Sequence, residues 1–166
     1  MRTINKIIVH CSDSNWGNAA IIDEWHRARG WKSGGYHFVI LNGNILSSSY
    51  EAEFDGVLEE GRSVEQAGAH VKGMNLDTIG ICLIGKEKFS SKQFKKLNRL
   101  LYYLCTKYDL SISDILGHCE TPTGAAQGKT CPNIKMISYR NIRLRLFFMM
   151  MGWAFIQPED LQSLLG

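Results

Sequence analysis

Short apolar runs alternate along this chain with stretches of helical periodicity. Lys6-Ile7-Ile8-Val9-His10 is rich in β-branched residues and is closed by the polar Cys11-Ser12-Asp13-Ser14-Asn15, which predicts a short buried strand with His10 at its C-terminal end. Asn18 then caps a predicted helix running to about Arg29, since Ile21, Ile22, Trp25 and Ala28 follow helical spacing and Gly30 suits the left-handed position just past the end. Tyr36–Leu41 and Asn44–Ser48 flank Asn42-Gly43, the dipeptide that best tolerates the positive φ angles of a tight hairpin turn, so a hairpin is expected there. Residues 50–78 are polar, glycine-containing and weakly periodic, and read mostly as loop. Ile79–Ile84 is a continuous apolar run of strand length, as expected where both faces of a sheet are covered. Ser90 and Gln93 form a capping-box pair ahead of Phe94, Leu97, Leu100, Leu101, Leu104 and Tyr108, a strong helical stripe. Ile112–Gly117 predicts a further strand that delivers His118, and after a glycine-rich loop a last helix is expected over Ser138–Phe148. The sum is an α/β fold: a central mixed β-sheet with helices packed on it.

Composition narrows the class. The 166 residues are 45% apolar and 21% charged with only 3 prolines, which suits one compact domain and excludes a disordered chain. A net charge of +3 is far below a dense basic patch, so no nucleic-acid partner is expected. The short apolar run Ile7-Ile8-Val9 before His10 is too short for a signal peptide, which predicts a cytoplasmic site of synthesis. Residues 144–157 hold about eleven apolar positions, short of the roughly 20 that span a bilayer, so no transmembrane segment is expected. With no internal repeat or linker, the main domain is expected over residues 1–146, and 147–166 read as a C-terminal extension packed on it. A partner inside the producing cell has no signature in the sequence.

The 5 histidines and 5 cysteines carry the candidate chemistry. An odd cysteine count without a C-x-x-C pair fits reduced thiols, and Cys82 and Cys105 fall on apolar stretches as core residues. His10 and His118 each end a predicted strand and precede a polar loop, where a rigid scaffold can hold a ligand while one side stays open. Cys131, thirteen residues after His118, is followed by Pro132. Two imidazoles and a thiolate would make a three-ligand zinc site with its fourth position left to water. On context alone the same trio reads more readily as packed side chains near loops.

Six strings recur in order and weigh on that choice: IIVHCSDS, EWHRARGW, GYHFVI, NLDTIGICLIG, ILGHCE and KTCPN. Together they resemble the zinc-dependent N-acetylmuramoyl-L-alanine amidases, notably the small phage lysozymes of the amidase type, whose fold the peptidoglycan recognition proteins share. The resemblance covers roughly residues 5–140. It implies Zn2+ held by His10, His118 and Cys131, an active-site tyrosine at Tyr36, a catalytic lysine at Lys129 and a histidine lining the substrate cleft at His70. It implies hydrolysis of the amide between N-acetylmuramic acid and L-alanine in peptidoglycan, with the zinc polarising the carbonyl and acidifying a water, Lys129 stabilising the oxyanion, and Tyr36 hydrogen-bonding the reacting atoms. A phage enzyme of this type would act on the cell wall after release through a separate pore. By strand alternation His37 points away from Tyr36 and is expected to be structural or on the surface, His26 has no expected site role, and Cys11 and Cys119 are expected to be bystanders rather than ligands. The loop between His118 and Cys131 is longer than in the shortest members, a change expected at the substrate rim and not at the metal. A cysteine-nucleophile cell-wall peptidase and a non-catalytic muropeptide-binding module are the competing readings.

Overall fold

The computed structural model describes residues 2–145 together with 147 and 148. Five strands form one sheet: β1 (Lys6–Cys11), β2 (Phe38–Asn42), β3 (Asp55–Glu60), β4 (Thr78–Leu83) and β5 (Ile115–Gly117), in the order β3-β2-β4-β1-β5. β2, β4, β1 and β5 run parallel and β3 is antiparallel at the edge, so the sheet is mixed as the sequence predicts. Parallel neighbours need helical crossovers that cover both faces, which explains why β1 and β4 are buried almost throughout.

Side-chain alternation divides the core in two. Ile7, Val9, Phe38, Ile40, Ile79, Ile81 and Leu83 face Leu97, Leu100, Leu101 and Leu104 of the helix α2 (Ser91–Tyr108). Val39, Leu41, Cys82 and Ile84 pack on the opposite side with Ile22 and Trp25 of α1 (Ala19–Ala28). Both helix starts follow from their caps. The Asn18 side chain accepts the Ile21 N–H at 2.9 Å, and the Glu59 carboxylate on β3 accepts the Ala19 N–H at 2.7 Å, tying α1 to the sheet edge. Ser90 and Gln93 exchange bonds of 3.0 Å as a capping box, and the buried Gln93 amide also donates to the carbonyls of Ile40 and Ile84, so the cap of α2 anchors it to two strands.

The hairpin expected at Asn42-Gly43 is corrected by the structure. Gly43 does turn, at φ +86°, but Asn44–Ser48 is not a strand, and the antiparallel partner of β2 is β3, inside the segment read as mostly loop. The Asn44 carbonyl is taken by the Gly17 N–H at 2.8 Å and Leu46 is exposed, so of the apolar residues in this stretch only Ile45 packs against the core. Asp55–Glu60 has both: Leu58 is buried opposite Ile40. Toward the C-terminus, a 3-10 turn (Ile112–Asp114) precedes β5, and α3 (Pro122–Ala126) follows a second 3-10 turn at His118–Glu120. The last helix begins at Met136, two residues before the predicted start, as α4 (Met136–Ser138), and continues as a π-helical segment over Tyr139–Leu144. Phe147 and Phe148 meet the ring of Tyr102 on α2, while the expected packing of 149–166 lies outside the described residues.

Candidate active site

The site forms where β1 and β5 end side by side, at the carboxyl edge of a parallel sheet where open α/β folds place their ligands. Pairing of Val9 with Gly117 puts the next residues, His10 and His118, next to each other, with ring centroids 4.7 Å apart. Cys131 reaches the same point from the far end of the α3 loop. The Cys119 N–H donates to the Cys131 carbonyl at 2.8 Å, joining the backbones of the two segments, and the Cys11 N–H donates to the Cys131 Sγ at 3.2 Å. Two glycines permit this approach. A Cβ on Gly117 would lie 2.8 Å from Pro132 and 2.9 Å from Met136, and one on Gly124 would lie 1.9 Å from the His118 carbonyl oxygen.

One ligand atom each from His10, His118 and Cys131 lies within 4.8 Å of the others, and His10 Nδ1 is 3.8 Å from Cys131 Sγ. A tetrahedral zinc with bonds of about 2.0–2.3 Å spaces its ligand atoms by about 3.3–3.8 Å, so the trio fits such an ion with small closure. The donor chemistry fits as well. Burial, then the neighbouring His70 and His118, holds His10 well below the usual imidazole range, and burial, then the Lys129 charge, lowers His118, so both offer lone pairs. The hydrogen bond with Cys131 brings Cys11 down to about 7, so the thiol pair releases its first proton near neutrality. The same bond, with burial, pushes Cys131 up, and a cation held beside the imidazoles would draw the negative charge to Cys131, the thiol that faces them.

The other sequence-predicted residues surround this trio. A cleft of about 700 Å3 opens over it, lined by His10, Tyr36, His70, His118, Lys129 and Cys131 among others. Tyr36 is half-buried with its ring 5.0 Å from that of His10, and burial, then the thiols of Cys82, Cys131 and Cys11, pushes its phenol well above the ordinary range. It is therefore a protonated hydrogen-bond donor at neutral pH. Lys129 is exposed on the lip, its N–H bonded to the Gly124 carbonyl at 2.9 Å. His70 forms the floor, with Nδ1 3.1 Å from His10 Nε2. His37 lies fully buried, its Nδ1 accepting the Gly80 N–H at 2.9 Å, which makes it structural. Cys82 and Cys105 are core residues.

Two contributions escaped the sequence reading. Cys11 is not in the ligand trio, yet its amide holds the Cys131 sulfur. His26 lines the cleft, and its Nδ1 accepts the Gly35 N–H at 2.9 Å, fixing the turn that presents Tyr36. The signal available was the Gly34-Gly35 pair directly before Tyr36, whose backbone needs a partner.

A mixed sheet carries a His-His-Cys trio that could hold a metal ion, under a cleft that a tyrosine and a lysine line, which is an arrangement suited to a hydrolase. Comparison with known proteins gives the family: residues 1–134 match the N-acetylmuramoyl-L-alanine amidase model, and the chain belongs to that amidase family. It is 33% identical over 143 residues to the endolysin of Escherichia phage T7, covering 80% of this chain and 82% of the relative. The endolysin of Enterobacteria phage T3 is 36% identical over 121 residues, or 66% of this chain and 72% of that one. Among solved structures, the N-acetylmuramoyl-L-alanine amidase LysC from Clostridium intestinale superposes with a TM-score of 0.67 at 25% identity, covering 91% of this chain and 87% of that one. Drosophila PGRP-LB, at 20% identity and a TM-score of 0.60 over 96% of this chain and 86% of its own, shares the fold. The protein is thus an N-acetylmuramoyl-L-alanine amidase acting on peptidoglycan.

Proposed function

We propose that this chain is a zinc-dependent endolysin that hydrolyses the amide between the lactyl group of N-acetylmuramic acid and L-alanine, with His10, His118 and Cys131 holding the ion. The observation that carries the reading is the convergence of these three donors, within 4.8 Å of one another, beneath a cleft that Tyr36 and Lys129 line. A bound zinc supplies a Lewis acid for the amide carbonyl and lowers the pKa of water from 15.7 toward about 7. The chain's own groups do the rest. The Lys129 ammonium on the lip holds the negative charge that develops on the carbonyl oxygen, a contribution of roughly 3–4 kcal/mol in a well-oriented site. The Tyr36 phenol donates a hydrogen bond to the reacting oxygen and helps move a proton to the departing amine. The Cys11 amide, by donating to Cys131 Sγ, keeps that thiolate aimed at the ion. His70 lines the cleft floor.

Residues 1–146 are proposed to form the catalytic unit. Among the described residues no helix is long and apolar enough to cross a membrane. The likeness to phage endolysins supports a proposed role on the cell wall, reached through a separate pore, as a phage lysis protein. Mass spectrometry of digested peptidoglycan tests the bond: release of stem peptides with free N-terminal L-alanine is expected, and cleavage inside the stem or between sugars refutes the reading. Stripping metal should abolish lysis and zinc should restore it. Lysis that survives metal removal but is lost to a thiol alkylator would instead make the enzyme a cysteine peptidase.

A further inference from the structure

The floor of the cleft holds a hydrogen-bond chain whose direction can be worked out from one end. The Thr78 hydroxyl, fully buried, donates its single proton to the Met74 carbonyl at 2.6 Å. Toward His70 Nε2, 3.3 Å away, the same oxygen can only accept, so the His70 proton sits on Nε2. His70 Nδ1 is then a lone pair, and it must accept from His10 Nε2 at 3.1 Å. That places the His10 proton on Nε2 and leaves His10 Nδ1, the nitrogen facing Cys131 Sγ, free to bind a cation.

The scaffold is shaped for this ring. A Cβ on Gly80 of β4 would lie 2.6 Å from His70 Cδ2, and one on Gly68 would lie 2.4 Å from the same atom, so His70 occupies a slot between two positions that only glycine leaves open. Its backbone is fixed as well, because the Asn75 side chain accepts the N–H of both His70 and Val71, at 2.8 and 2.9 Å. Both ring nitrogens of His70 are engaged, which leaves it no polar atom for a substrate.

We infer that His70 is a positioning residue, which with Thr78 locks the tautomer and ring orientation of His10 so that its Nδ1 points at the metal. The inference rests on the zinc reading above. Partners that orient a metal-bound imidazole typically contribute 10–100-fold to metal affinity, which sets the expected effect.

The test measures zinc affinity by competition with a chromophoric chelator, on protein shown to be folded by circular dichroism. His70→Ala should bind zinc about 10–100-fold more weakly than the unaltered protein. His70→Asn should recover most of the loss, because its Oδ1 can stand where Nδ1 accepts. Thr78→Val, which keeps the shape and removes the hydroxyl, should weaken binding in the same direction. In the metal-free protein, 15N chemical shifts should report the Nε2–H tautomer of His10, and a mixture of tautomers in His70→Ala. Unchanged zinc affinity in folded His70→Ala, or a variant that alters only KM for peptidoglycan, overturns the positioning role and leaves the zinc reading standing. Failure of the unaltered protein to bind zinc at all overturns both.

Discussion

Lowering the pH from 7 toward 4 puts a proton on His37 in the unfolded chain long before the folded chain accepts one. The folded ring is fully buried, its Nδ1 already accepts from Gly80, and its Nε2 already donates to the Gln66 carbonyl at 3.1 Å, so a second ring proton would face an N–H. Burial, partly opposed by the Gln66 carbonyl and reinforced by the charges of Arg2 and Arg62, holds the group down at about 4. Between the ordinary imidazole value near 6.5 and that figure, the unfolded state binds more protons, so stability rises with pH and is lost as pH falls. Each pH unit is worth about 1.4 kcal/mol, so His37 alone should cost roughly 2 kcal/mol at pH 5, and its slope should vanish below about 4. Urea unfolding from pH 7.5 to 4.5, with metal stripped so that its own competition with protons drops out, measures the slope. His37→Asn keeps an acceptor for Gly80 and cannot titrate. It should be less stable at neutral pH by a constant amount, with a slope shallower by about 1.4 kcal/mol per pH unit. Parallel curves for the two proteins would refute the reasoning.

Three further outcomes follow from the site and its supports. His10→Ala should lose both bound zinc and amidase activity, whereas Lys129→Ala should keep its zinc and lose roughly 10²–10³ of the rate, and equal zinc loss in both would contradict the division of roles. Gly117→Ala should drive a methyl into Pro132 and Met136, destabilising by about 1–3 kcal/mol in urea and loosening zinc in chelator competition. Ser90→Ala removes the cap of α2 and the bond to Asp55 at 2.5 Å, and should lower stability by about 1 kcal/mol, a Tm drop of a few degrees by thermal circular dichroism.

What was legible in the sequence was local. The cap of α1 at Asn18, the capping box of α2, and the β-branched runs of β1 and β4 all act within a few residues, and each lies where its pattern puts it. The ligand trio was legible as three strand-end or loop residues, but its convergence was not, because that depends on β1 pairing with β5 across about a hundred residues. β3 was missed for a related reason: Asn42-Gly43 marks a turn correctly, yet the segment that returns is the later one whose Leu58 is buried opposite Ile40, a contact with no local signal. The His10–His70–Thr78 chain has no spacing rule at all. It exists because Gly68 and Gly80, unremarkable in the sequence, both leave open the space that the His70 ring fills.

The bond from Cys119 to the Cys131 carbonyl closes the neck of the loop that runs between them, and inside the loop Thr121 and Gly124 pack on the His118 carbonyl, so its freely variable part lies beyond those two residues. A loop tied at its neck can be lengthened or shortened for about 0.6 kcal/mol per doubling of length, with little strain below provided that Thr121 and Gly124 keep their places on the His118 carbonyl. Since Thr123, Gln127 and Lys129 form one wall of the cleft, that loop is a natural cassette for protein engineering. Grafting it from one relative to another, with Lys129 retained, is a route to redirecting which bacterial walls are dissolved while the chemistry beneath stays in place.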